Sequence, residues 1–388
     1  MASRRALLNP APPSTTMKNS IFKTAVTTGA CVAMLGSAGF AQDSSAAQSV
    51  GKGPLQVYIL AGQSNMDGQA DMRTIDFLGE DKDPARAALL KTFKPDGKNL
   101  VTRKDVWVTS DDVSGDLGPG YGGRKDYSKL GHCIGPEYAF GYYVGEATAN
   151  QVLLIKYAPG GQSLYKDFRP PSAGLPDPMP TKAGPNKTKV PCVAEDFGGQ
   201  YRGMVGCVHD VLKNLKTRFP AYDEKAGFEI VGFVWFQGFN DMIEGGQPVA
   251  EYGKNLTCLI KDVRKEFKVP DMKVVVGVMG VNGPKNEVGK QGDIRNQMRS
   301  MNSVAEFKGN VKAVESAPLL NPDVVALKTA GWLNKDRDLK KDPITPDEQA
   351  MLGRATSNLG FHYYGEGRFF ILLGKAFAEA MQELTKKP

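Results

Sequence analysis

Five short apolar runs punctuate the chain, at residues 57–61, 152–158, 230–236, 273–279 and 311–315, each set off by turn-forming residues. They are mostly continuous in Val, Ile, Leu and Phe rather than alternating with polar residues. That is the pattern of strands covered on both faces in a parallel sheet. Between them lie segments predicted to be helical, near residues 136–150, 204–219, 248–267 and 290–307, with a last one over 365–384. In 204–219, Val205, Val208, Val211, Leu212 and Leu215 fall on one helical face. Strand and helix in alternation predict an α/β fold with one doubly wound, parallel sheet of about five strands, and no internal repeat is visible.

Two stretches break the rhythm. Residues 160–200 carry Pro170, Pro171, Pro176, Pro178, Pro180, Pro185 and Pro191, and residues 318–358 mix charges with several prolines. Loops of that length inside a domain usually serve a site, and each follows a strand, at the sheet edge where open α/β folds bind ligands.

The N-terminus reads as an export signal. Lys18 and Lys23 follow a second methionine, Met17; residues 25–40 are apolar to small; and Gly39-Phe40-Ala41 offers a cleavage site after Ala41. Residues 1–41 are therefore expected to be a signal peptide with an upstream extension, 42–54 a linker, and 55–388 a single catalytic-type domain. The expected location is secreted or periplasmic. Cys31 sits within the apolar region, without the Leu three places before it that a lipid-attachment site would carry.

Loss of Arg4, Arg5, Lys18 and Lys23 lowers the formal net charge of +7 by four, to +3. No dense Lys/Arg stripe then remains to neutralise phosphates, so nucleic acid is not an expected partner. With 41% hydrophobic and 23% charged residues the chain is an ordinary globular one, and no apolar run after the signal is long enough to span a membrane. Cys133, Cys192, Cys207 and Cys258 are irregularly spaced, with no CxxC pair; one bridge is conceivable, or Cys207 and Cys258 are small core residues. Only three histidines occur, with no HxH or HExxH, so neither a metal nor another cofactor is expected. His209 reads as a helix-surface residue and His132 as structural.

The strongest chemical signal is Gly62-Gln63-Ser64-Asn65-Met66, directly after the first run. A serine on the turn leaving a strand can present its hydroxyl at the sheet edge, beside amides able to hold an oxyanion. The second glycine of the GxSxG nucleophile elbow is missing. Equivalent places are filled by Pro159-Gly160-Gly161-Gln162-Ser163 after the second run and Gln237-Gly238-Phe239-Asn240-Asp241 after the third. His362 precedes the last helix, in Phe361-His362-Tyr363-Tyr364-Gly365.

At these residues the sequence resembles the SGNH hydrolase superfamily, and within it the sialate O-acetylesterase-like carbohydrate esterases. Ser64 in GQSN matches the first block, Gly161 the oxyanion glycine of the second, and Gly238, Asn240 and Asp241 the GxND third block. Gly135-Pro136-Glu137 and residues 165–171 extend the likeness. The resemblance implies a flavodoxin-like three-layer α/β/α sandwich, no metal, and hydrolysis of acetyl esters on sugars. One departure stands out: the family's DxxH acid would fall at position 359, which is Leu359, preceded by Asn358. Asp241 and Glu137 are the candidate replacements by motif position.

The expected protein is an exported serine esterase acting on acetylated polysaccharide, oligosaccharide or sialic acid. Ser64 is the expected nucleophile, His362 the base and Asp241 the third member. The amides of Ser64 and Gly161 and the side chain of Asn240 form the oxyanion hole. Gln63, Arg169, Gln237 and Trp332 are the expected substrate contacts, while Trp235, inside a strand, is core. The alternatives are a carbohydrate-binding protein that has lost activity on this scaffold, and a general short-chain esterase.

Overall fold

The structure, a computed structural model of the chain, describes residues 53–110, 113–123, 132–184, 188–284, 287–327 and 343–386. The expected signal peptide, most of the linker, the charged run at 335–342 and Trp332 lie outside the described residues. All five apolar runs are strands, and two more flank them. In chain order the strands of the main sheet are β1 (Leu55–Gly62), β2 (Arg103–Ser110), β3 (Val113–Leu117), β4 (Val152–Tyr157), β5 (Phe228–Phe236), β6 (Lys273–Val278) and β7 (Val311–Glu315). The sheet order is β7-β6-β5-β1-β4-β2-β3, parallel throughout except for the β2–β3 hairpin at one edge. The sheet thus has seven strands rather than about five.

The two extra strands were hidden for physical reasons. Arg103 opens β2 with a charge, yet it is buried because Asp105 and Glu146 pair with its guanidinium. β3 is a short edge strand with two apolar residues, which carries no periodic signal.

The helices that matter here are α1 (Ser64–Asp67), α2 (Pro136–Glu146), α3 (Gly199–Lys213), α4 (Phe239–Glu244), α5 (Tyr252–Glu266), α6 (Gly289–Arg299) and α7 (Gly367–Thr385). From β1 the chain moves toward β3 and returns through α2 to β4; from β4 it crosses through α3 to β5, and then steps outward through α5 and α6. Right-handed crossovers place helices on opposite faces when the direction of travel reverses. Accordingly α2 packs on α7 over one face, while α6 packs on α5 over the other. The result is the three-layer α/β/α sandwich.

Between the layers the strands form a dry core. Val57, Ile59, Leu60, Leu153, Leu154, Ile155, Phe233, Val234 and Trp235 are all fully buried. The reversal leaves β1 between β4 and β5, so the carboxyl ends of these three neighbours form the crevice where such sheets bind ligands. The four cysteines Cys133, Cys192, Cys207 and Cys258 are unbridged. No helix among the described residues is long and apolar enough to cross a membrane.

Candidate active site

Three turns converge at this crevice. β1 ends at Gly62, where an added Cβ would lie 2.1 Å from the carbonyl oxygen of Phe236 on β5. Only glycine allows that approach, and it brings Gln63 and Ser64 against the end of β5. Ser64 starts α1 and is half-buried. Gly161, after β4, has φ +72, and a Cβ there would meet nothing within 4 Å, so the turn needs glycine for its backbone and leaves open space beside it. Among the described residues, the backbone N–H groups of Ser64 and Gly161 make no hydrogen bond.

A chain of side-chain amides locks the three turns together. Gln237 Nε2 donates to Gln63 Oε1 (3.1 Å), to the Gln162 carbonyl (2.9 Å) and to Asp241 (2.7 Å). Gln63 Nε2 in turn donates to Asn240 Oδ1 (3.0 Å). Asn240 is thereby oriented: its oxygen faces Gln63, and its Nδ2 faces the β4 turn, donating to the Gly161 carbonyl at 3.0 Å. One N–H of that amide stays available beside Gly161.

The residues expected to touch substrate behave otherwise. Gln63 and Gln237 are 2% and 3% exposed and act inside this network. Arg169, 4% exposed, spends its guanidinium on the carbonyls of Gly174 and Tyr165 and on Glu251, bracing the proline-rich loop. All three position the site rather than line it. Residue type alone does not reveal such burial.

Asp241 also has a different place from that expected of a third member. Its carboxylate accepts from the backbone N–H groups of Leu164 (2.9 Å) and Tyr165 (2.8 Å) as well as from Gln237, tying α4 to the loop after Gly161. Burial pushes its pKa up to about 7, against the pull of those donors. Glu137 is engaged too, accepting from the Gly135 N–H and pairing with Lys156 at 3.1 Å with no exposed surface on either side chain. Lys156 Nζ donates further to the carbonyls of Asp67 and Tyr121, underpinning α1.

His362 lies on a turn over Gly360–Gly365 that packs against α1. Its Nδ1 sits 3.1 Å from Oδ1 of Asn358, four residues earlier, and not beside a carboxylate. Burial holds the imidazole well down, to about 4. Its ring does not hydrogen-bond Ser64 among the described contacts; such pairs are commonly long without substrate and tighten when it binds. Elsewhere, His209 pairs with Glu266 on the surface and His132 is exposed. Trp235 is core, its indole donating to Tyr252. Among the described residues no group of three or more His, Cys, Asp or Glu side chains could hold a metal ion.

The sequence matches the carbohydrate esterase, sialic acid-specific acetylesterase family over residues 54–334, and the chain belongs to that family. It is therefore a carboxylic ester hydrolase, a carbohydrate acetylesterase by class. Three solved structures resemble it. NanS is 14% identical, with a TM-score of 0.46, over 85% of this chain and 98% of that one. A protein from Arabidopsis thaliana is 16% identical, with a TM-score of 0.44, over 85% and 98%. A carbohydrate acetylesterase from Xanthomonas citri is 12% identical, with a TM-score of 0.37, over 69% and 50%. No curated protein matches the chain.

Proposed function

We propose that the protein is an exported serine esterase that removes acetyl groups from carbohydrate. Ser64 Oγ attacks the acyl carbon while His362 Nε2 takes its proton. The tetrahedral oxyanion is held by the N–H groups of Ser64 and Gly161 and the Nδ2 of Asn240, and the protonated histidine then passes its proton to the departing sugar oxygen. Water, deprotonated by the same imidazole, attacks the acetyl-enzyme and releases acetate.

The observation that carries this reading is the orientation of Asn240. Gln63 fixes its oxygen, so its NH2 faces the Gly161 turn, at the strand ends where the N–H groups of Ser64 and Gly161 have no hydrogen-bond partner among the described residues. A preorganised cluster of donors beside a strand-end serine suits an acyl-transfer transition state. The short acyl group is argued from the prolines of the loop after β4, which fix its backbone rather than let it part around a long chain. Export is argued from the charged and apolar pattern of residues 1–41.

Release of nitrophenol from p-nitrophenyl acetate and of acetate from acetylated xylan and O-acetylated sialic acid tests the reading, with Ser64→Ala as control. Turnover should fall at least about a thousandfold in the variant. Acetyl esters should be cleaved far faster than butyryl or octanoyl ones. Wild-type turnover that survives Ser64→Ala refutes the nucleophile. Sugar binding without turnover would make this a binding protein, and no gain from a sugar leaving group would make it a general short-chain esterase.

A further inference from the structure

We infer that Asn358 is the positioning residue of this site, holding His362 in the tautomer a base needs by means of a neutral amide where serine hydrolases of this chemistry use a carboxylate. The inference rests on the proposed Ser64–His362 reading.

The geometry defines the proton. Asn358 Oδ1 accepts the Leu359 N–H at 2.7 Å, so the atom facing the ring is the carbonyl oxygen and not the NH2. That same oxygen is 3.1 Å from His362 Nδ1. Two acceptors cannot bond, so Nδ1 carries the hydrogen and the lone pair stands on Nε2, where a serine hydroxyl can be deprotonated. An asparagine substituted for a triad acid costs about ten-thousandfold when it leaves the wrong tautomer; here the Leu359 N–H prevents that flip.

Asn358 is itself held. Its N–H and that of Ser357 both donate to the Tyr364 carbonyl at 2.9 Å. Ser357 Oγ donates to the Gly365 carbonyl at 2.9 Å and accepts from the Asp71 N–H at 3.0 Å, beyond the end of α1.

A neutral partner changes the pH range. The charged groups on elements around the turn are turned to other partners: Asp67 accepts from Gln69, Asp71 from the Arg73 N–H, and Asp241 from the loop after β4. Glu244 lies near Lys166 and the like charge of Asp167, Glu366 near Arg368, and Arg295 bonds Glu287 and the carbonyls of Val281 and Gly283. Burial is the one cause acting on His362 and it lowers the pKa. The base is thus neutral and competent in acid, where an imidazole paired with a carboxylate would already be protonated.

The test is the pH profile of kcat/KM from pH 3.5 to 9 for wild type, Asn358→Ala, Asn358→Asp and Ser64→Ala, with circular dichroism to verify folding and 15N shifts of His362 to read the tautomer. Wild type should hold its activity down to about pH 5. Asn358→Ala should lose about 10- to 100-fold in kcat, with KM little changed, and should show a mixed tautomer. Asn358→Asp should stay active near pH 8 with its acid limb moved up by roughly one to three units, the effect of a carboxylate beside an imidazolium. If Asn358→Ala fails to fold, the Asn358→Asp profile and the wild-type 15N shifts decide alone. An unmoved limb in Asn358→Asp, or a wild-type His362 protonated at Nε2, overturns the inference while leaving the esterase reading intact. Undiminished activity in Ser64→Ala overturns the esterase reading itself.

Discussion

Lys156→Met would take a buried cation out of the floor beneath the turn that bears Ser64. Its Nζ donates to the Asp67 carbonyl at 2.8 Å, the Tyr121 carbonyl at 2.6 Å and Glu137 Oε2 at 3.1 Å, and neither side chain of the ion pair has exposed surface. Once the lysine is gone, Glu137 keeps the Gly135 N–H at 2.9 Å and no positive charge. Breaking a buried pair in this way costs about 3–5 kcal/mol. Against a total stability of about 5–15 kcal/mol, that is a large share.

Removing both charges together, as Lys156→Met with Glu137→Leu, should recover much of the loss, because a buried pair is itself only a weak stabiliser. Recovery should stop short of wild type, since the Asp67 and Tyr121 carbonyls lose a donor in either variant, at about 1 kcal/mol each. Urea denaturation of the four proteins gives the coupling energy directly, provided the m-values agree. Asp67 ends the helical turn that begins at Ser64, so the folded single variant should also turn over more slowly. A single variant within 1 kcal/mol of wild type, or a double variant as unstable as the two singles added together, would refute the reasoning.

Gln63→Glu removes the donor that orients Asn240, whose amide would then turn its NH2 toward the new carboxylate; kcat on p-nitrophenyl acetate should fall about 100- to 1000-fold at similar KM, as for loss of one oxyanion donor. Asp241→Asn should cost about 1–3 kcal/mol of stability through its backbone partners and only a few-fold in kcat; a ten-thousandfold loss of turnover in a well-folded protein would restore it as the third member. Glu366 is wholly buried, its Oε1 has no hydrogen-bond partner among the described residues, and burial pushes its pKa up to about 8. A folded value above the unfolded one gives stability that is complete below about pH 4 and is lost as pH rises toward 8, so Glu366→Gln should match wild type at pH 4 and exceed it at pH 9; parallel stability curves would contradict this.

The centre of the sheet was legible because the inner strands β1, β4, β5 and β6 are covered on both faces over most of their length and must be apolar there, and even the edge strand β7 carries Val311 and Val314. The edge was not: β2 buries Arg103 through acids on β2 itself and on α2, so its burial depends on partners 2 and 43 residues away. The strand-end residues Ser64, Gly161 and Asn240 were readable as a set since the topology brings the ends of β1, β4 and β5 together. Their supports were not. Asp241 was weighed for its charge, although its place is set by two backbone N–H groups 76 and 77 residues away. Asn358, next to the missing acid, carries no charge to mark it as a partner, yet four residues before the histidine it offers the acceptor a carboxylate would.

The histidine turn shows how the core, rather than local preference, sets the site. Tyr363, Tyr364 and Gly365 are consecutively left-handed, with φ of 52, 57 and 61. For the two tyrosines that backbone costs about 1–2 kcal/mol each. Tyr363 recovers it by burial: its ring stacks on Phe369 at 4.0 Å between centroids and on Phe236 at 5.7 Å, and its hydroxyl accepts the Gly280 N–H at 3.0 Å. Each aromatic pair adds about 0.5–1.5 kcal/mol beyond the ring's burial, so packing offsets the strain. Phe236 ends β5 and Phe369 lies in α7, so the turn bearing His362 is fastened to the same strand that delivers Gln237 and Asn240. The proposed base, His362, and the proposed oxyanion donor Asn240 are therefore registered to one another through β5. Tyr363→Leu tests that registration: it keeps an apolar core side chain but removes both ring stacks and the hydroxyl. It should weaken kcat by roughly tenfold or more through a misplaced imidazole, in line with the sensitivity of such sites to shifts of about 1 Å. KM should change little. Unchanged kcat in the folded variant would mean that the turn holds His362 without its core anchor.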